Sequence, residues 1–139
     1  MAYWIKIIYE RNTYVIDLEQ IGVFSSAPNG KLTFWLPNNK NPIILNPMNN
    51  PDVYQQVRDY IHKVTNHALG HYWLKFNYDR EEFLIDLYRI GAFSKAQNGK
   101  ITFYLPDSGI AIILHPNNNA EVYQKIIDYI QKTTGYMDF

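Results

Sequence analysis

Residues 3–66 and 72–135 align with one another without a gap, at a constant offset of 69, and share 34 identities over 64 positions. Unrelated segments of ordinary composition would share only about 4. Tyr3-Trp4 matches Tyr72-Trp73, Asn29-Gly30-Lys31 matches Asn98-Gly99-Lys100, and Asp59-Tyr60-Ile61 matches Asp128-Tyr129-Ile130. An internal duplication of this kind constrains the fold first, because whatever one half forms the other is expected to form. Two copies are too few for a solenoid, so a pseudo-two-fold pair is expected.

Each half reads as strands and then one helix. Ile5, Ile7 and Tyr9 alternate with Trp4, Lys6 and Ile8, the period of two that marks a strand. A turn near Arg11-Asn12 follows, then a second alternating run through Tyr14, Ile16 and Leu18. Asn29-Gly30 between apolar runs predicts a hairpin with a type I′ turn. Further strands are expected at Leu32 to Leu36 and Ile43 to Leu45, stopped by Pro37 and Pro47. Asn50, Pro51 and Asp52 look like the N-cap and first turn of a helix, repeated as Asn119, Ala120 and Glu121. Val53, Val57, Tyr60, Ile61 and Val64 form one apolar face of it. Asn66 and Gly135 suit the left-handed C-terminal position.

The expected class is therefore α+β. Each copy is a four- to five-stranded antiparallel meander with one C-terminal α-helix, the first over residues 1–66 and the second over 72–139. A short linker, 67–71, should keep the two packed as one globular unit. A module of about 64 residues is marginal alone, so pairing two copies would cover strand edges and apolar faces.

Composition narrows the function. The chain is 47% hydrophobic and 16% aromatic, enough for a real core. Thirteen Lys and Arg balance thirteen Asp and Glu, which gives no electrostatic reason to bind nucleic acid. No cysteine is present, which excludes disulfides and thiolate chemistry. No apolar run approaches the roughly 18 residues of a membrane span. The strand-like pattern begins at once after Met1-Ala2, leaving no room for a signal peptide. A cytoplasmic protein that binds neither nucleic acid nor membrane is expected.

Few residues carry chemistry. His67 and His71 lie in the linker with no Asp or Glu nearby in sequence, so a solvated linker is expected rather than a metal site. Asp17 and Asp86 are equivalent and sit in strands, where Asp is depleted. Each is expected to pair with a basic neighbour of its own half, Lys6 or Arg11 and Lys75 or Arg80. A shared site at the pseudo-two-fold would instead make them an enzyme's carboxylates. No nucleophile arrangement and no phosphate-cradling loop is present. The Asn-rich stretches 38–41, 46–50 and 117–119 read as turns and caps.

The most suggestive set is the non-core strand face: Trp4, Lys6, Thr33 and Trp35, repeated as Trp73, Lys75, Thr102 and Tyr104. Such a face suits the stacking of a ligand or the packing of a partner. It also suits burial against the other copy or against a second chain. The expected function is a non-enzymatic protein that binds a protein partner, or itself, through this face or an inter-repeat groove. A small-molecule ligand at the pseudo-two-fold is the alternative and an enzyme built on Asp17 and Asp86 the third. No catalytic residue, metal or cofactor is expected. Where the halves differ, as at Glu19 against Tyr88, Gln20 against Arg89 and Ser26 against Lys95, an asymmetric function would show itself.

No family is evident in these residues. The element order is similar to half of a pleckstrin-homology-like barrel, and the duplicated halves resemble the saddle of the TATA-binding proteins. Neither likeness includes a shared motif, and element order alone carries no function.

Overall fold

A computed structural model of the chain describes residues 2–37, 42–66 and 70–139. The fold is α+β, with antiparallel strands and two helices. In order these are β1 (Trp4–Tyr9), β2 (Asn12–Asp17), a 3-10 turn (Leu18–Gln20), β3 (Val23–Ser26), β4 (Leu32–Trp35), β5 (Pro42–Leu45) and α1 (Pro51–Asn66). Then come β6 (Trp73–Tyr78), β7 (Glu81–Asp86), a 3-10 turn (Leu87–Arg89), β8 (Ser94–Lys95), β9 (Ile101–Tyr104), β10 (Ala111–Leu114) and α2 (Ala120–Thr134). Among the described residues no helix is long and apolar enough to cross a membrane. Residues 38–41 and His67 lie outside the described residues.

Two turns differ from expectation in an informative way. The β1–β2 turn is Glu10-Arg11, one residue earlier than the sequence suggests, and both residues have positive φ (49° and 69°). That is the handedness of a type I′ turn, made here without glycine. At Asn29-Gly30 the hairpin forms, but only Gly30 has positive φ (91°), and its N–H donates to the Ala27 carbonyl. Asn29 keeps an ordinary backbone because its Oδ1 accepts the Lys31 N–H. The result is a type I turn closed by a left-handed glycine, the usual three-residue hairpin loop. Ala96, Asn98, Gly99 and Lys100 repeat the arrangement.

The chain forms two compact units. The first comprises Met1–Arg89 with Leu105–Gly109. Its main sheet has the order β5-β4-β3-β7-β6, and β1-β2 forms a separate two-stranded sheet. The continuous meander expected in each half is thus broken after β2. The 3-10 turn redirects the chain, and β3 pairs with β7 instead, Phe24 opposite Leu84 and Ser26 opposite Glu82. The core gathers Ile5, Ile7 and Ile16 from the hairpin, Phe24, Phe34, Ile43 and Leu45 from the sheet, Val57, Tyr60 and Val64 from α1, and Leu84 from β7. The Tyr54 hydroxyl donates to the Gly30 carbonyl at 2.7 Å, fixing α1 to the β3–β4 turn. Tyr9 closes part of the β5 edge, its hydroxyl accepting the Ile44 N–H.

The second unit comprises Ile90–Tyr104 with Ile110–Phe139. Its sheet has the order β10-β9-β8. Ile126, Ile127, Tyr129 and Ile130 are the buried face of α2. Gly135 ends that helix in the left-handed conformation, its N–H donating to the Gln131 carbonyl. Asn119 does not cap α2 with its side chain; its Oδ1 accepts the His115 N–H and tightens the preceding turn. The Tyr123 hydroxyl donates to the Gly99 carbonyl at 2.6 Å. β8 is only two residues long and both are exposed.

Candidate functional site

Asp17 and Asp86 owe their place in strands to backbone donors. Each ends its strand where a 3-10 turn begins. Asp17 Oδ1 accepts the N–H of Tyr3 (2.9 Å) and of Glu19 (3.0 Å). Asp86 Oδ1 accepts the N–H of Tyr72 (2.9 Å) and of Tyr88 (3.1 Å). Each carboxylate therefore satisfies an orphan donor of its turn and holds the preceding strand against it. The expected basic partners are placed elsewhere. Arg11 and Arg80 occupy hairpin turns, and Lys75 Nζ lies 3.5 Å from Glu82.

Asp86 does more than its counterpart. Its Oδ2 lies 2.6 Å from Nδ1 of His71, whose Nε2 lies 3.0 Å from Oε2 of Glu19. The imidazole ring is therefore held between two carboxyl groups, one at each nitrogen. The same Glu19 oxygen accepts the Tyr60 hydroxyl at 2.7 Å. Arg89 completes the set: its guanidinium donates to the Glu19 backbone carbonyl at 2.8 Å and approaches Asp86 at 3.8 Å. Burial, with the Glu19 carboxylate alongside, pushes the Tyr60 hydroxyl far above the ordinary tyrosine range. Tyr60 is thus held as a neutral donor.

The expectation that His71 is solvated linker is overturned, since it is nearly buried between two acids. What hid the cluster is its spread along the chain, with Glu19 52 residues before His71. The available signal was the departure from symmetry at Glu19/Tyr88 and Gln20/Arg89, since two of those residues meet here. Chemically, both ring nitrogens of His71 are occupied by carboxylates. The ring has no nitrogen left to activate a nucleophile. The cluster is a clamp. Among the described residues no group of three or more His, Asp and Glu is arranged to hold a metal.

The aromatic strand set is divided by the fold. Trp35 is buried. Trp73 packs against Phe24, with ring centroids 6.0 Å apart, and stacks on His71 at 5.6 Å. Its Nε1–H is buried without an acceptor among the described residues. Tyr104, on β9 of the second unit, is exposed. Neither a protein-family model, nor a curated protein, nor a solved structure matches the chain.

Trp4 alone of the three tryptophans faces solvent, and it has company that the sequence reading missed. Strand alternation and the Lys6–Val15 pairing place Trp4, Lys6, Ile8 and Val15 on one face of the β1–β2 hairpin. Trp4 is 62% exposed, Ile8 69% and Val15 65%. These three large apolar side chains are thus exposed together on one face. Leu84, the residue 69 positions after Val15, is only 6% exposed and belongs to the core. The periodicity of β1 and β2 could have suggested Ile8 and Val15, because both alternate with core residues. It could not say that their face has no cover among the described residues.

Proposed function

We propose that the two halves are copies of one module and that the protein is a non-enzymatic binding protein whose working surface is the Trp4, Lys6, Ile8 and Val15 face of the β1–β2 hairpin. The 34 identities at offset 69 support the first statement, as does the recurrence of most strand bounds 69 residues later. The observation that carries the second is the exposure of Trp4, Ile8 and Val15 on one side of a two-stranded sheet whose β2 edge pairs with nothing but β1 among the described residues. An exposed aromatic anchor with aliphatic neighbours, here set around Lys6, suits the packing of a protein partner. An unpaired strand beside it offers main-chain hydrogen bonds as well. A non-enzymatic role agrees with the engagement of His71, Asp17 and Asp86 by partners within the fold.

A photo-crosslinking amino acid at Ile8 tests this reading in extracts of cells that express the protein. The expected result is a covalent adduct with a protein, abolished by adding Trp4→Ala. Unchanged labelling at Ile8 and at an exposed control position such as Met48 would overturn it.

A further inference from the structure

The first unit contains a worked example of how such a hairpin docks. β7 pairs with β3, the Asp86 N–H donates to the Gly22 carbonyl at 2.9 Å, and Leu84 lies opposite Phe24 and Glu82 opposite Ser26. Leu84 is buried in the core that this pairing completes, and Trp73 packs on Phe24. Shifted back by 69, the inserting residues are Asp17, Val15, Thr13 and Trp4. Shifted forward by 69, the receiving residues are Gly91, Phe93 and Lys95. Both sets are present, and among the described residues β2 pairs only with β1 and β8 only with β9.

Hydrogen-bond direction agrees. The Leu18 N–H donates to Tyr3, so the even-numbered residues of β2 turn toward β1 and Thr13 and Val15 turn their backbone groups outward. The Ala96 N–H donates to Lys100, so Ser94 turns toward β9 and Phe93 and Lys95 turn outward. Side-chain space agrees as well. Phe93 lines a cavity of about 270 Å³ with Ile90, Tyr129, Ile130 and Thr133, and its counterpart Phe24 packs against Trp73 in the first unit.

We propose that the partner of the hairpin face is a second copy of this chain: β2 of one molecule pairs antiparallel with β8 of the next, Val15 opposite Phe93 and Thr13 opposite Lys95, with Trp4 entering the Phe93 cavity. This rests on the hairpin face being a binding surface and names its occupant. Each chain then carries one inserting hairpin and one receiving edge, so association is head to tail. The intermolecular joint lacks one feature of the internal one. The counterparts of His71 and Glu19 are Ala2 and Tyr88, so no histidine–carboxyl clamp forms. It also lacks the high effective concentration of a tethered partner. Assembly is therefore reversible and concentration-dependent.

Sedimentation of the full chain from about 1 μM to about 1 mM, the range of modest affinities, should show mass rising with concentration. Val15→Lys disables the inserting edge at an exposed residue, and Lys95→Pro disables the receiving edge without removing a bond to β9. Each should weaken self-association roughly tenfold to a hundredfold. Mixed in equal amounts, the two should recover a complex of two chains, because each supplies what the other lacks. Should Lys95→Pro unfold the second unit, as circular dichroism would show, a crosslinker at Val15 of the otherwise unaltered chain takes its place. Its adduct should map to the peptide containing Phe93 of another molecule. A wild-type chain that stays single throughout, a Val15→Lys variant that assembles like wild type, or a mixture that fails to recover would overturn the inference. Crosslinks from the hairpin to other proteins alone would overturn it while leaving the binding face standing, and no crosslink to any protein would overturn both.

Discussion

Nδ1 of His71 lies 2.6 Å from Oδ2 of Asp86, and this almost wholly buried pair joins the start of β6 to the end of β7. A second carboxylate, that of Glu19, closes on the other ring nitrogen, so one ring bridges two acids.

Removing the imidazole leaves the two carboxylates facing each other with only Arg89, 3.8 Å from Asp86, and the Tyr60 hydroxyl on Glu19 to offset them. His71→Ala should therefore destabilise the fold by about 2–4 kcal/mol. Asp86→Asn keeps the oxygen that accepts the Tyr72 and Tyr88 N–H groups and should cost less than Asp86→Ala. Urea unfolding at neutral pH checks both; a change under about 0.5 kcal/mol for His71→Ala would mean that the clamp contributes little.

Tyr60 predicts the behaviour of the fold in alkali. Its hydroxyl keeps its proton in the folded protein at a pH where the unfolded chain, with an ordinary tyrosine value of 10.0, has lost it. The folded state then binds more protons, so stability falls as pH rises through about 10. Below that value the contribution is complete. Urea midpoints from pH 8 to 11 should decline more steeply in wild type than in Tyr60→Phe, which removes this ionisation while losing the Glu19 hydrogen bond.

Gly22 and Gly91 are equivalent in sequence and should respond oppositely to alanine. A Cβ on Gly22 would lie 2.9 Å from Arg89 Cδ and 3.0 Å from Pro106 Cγ, whereas one on Gly91 meets nothing within 4 Å. Gly22→Ala should lower the melting temperature. Gly91→Ala should leave it unchanged or raise stability by up to about 1 kcal/mol through the unfolded chain.

The Glu10-Arg11 turn holds two non-glycine residues at positive φ, each at a cost of about 1–2 kcal/mol. Replacing the pair with Asn-Gly should stabilise the hairpin by about 0.5–1 kcal/mol net of the added freedom of glycine when unfolded. Thermal unfolding of the double variant measures this, and a loss would show that the wild-type side chains make compensating contacts.

Much of the fold is legible in the chain because it depends on local patterns. The alternation in β1 and β2, the Pro stops after β4, and the apolar face of α1 each follow from neighbouring residues. Asp17 and Asp86 are visible as anomalies, yet their role is not, since it lies in backbone donors that exist only once the 3-10 turn forms. The split of the tryptophans is hidden for a related reason. Alternation tells which residues share a face, but Trp73 is covered by Phe24 of β3, nearly fifty positions away, while the equivalent Trp4 has no such cover. Non-local pairing decides between burial and exposure, and the β3–β7 pair is non-local.

That pairing also sets the order in which the protein can be completed during synthesis. The chain must grow by 60 residues between Ser26 and Asp86, about 3–12 s at usual rates of elongation. Throughout that interval β3 has no β7 to receive, and the apolar groups around Phe24 await Leu84. A nascent first half therefore displays on the ribosome a strand edge like that of β8, which among the described residues pairs only with β9. Neighbouring nascent chains would compete with the chain's own β7 for that edge, so slow elongation and crowded polysomes would favour exchange of hairpins between molecules.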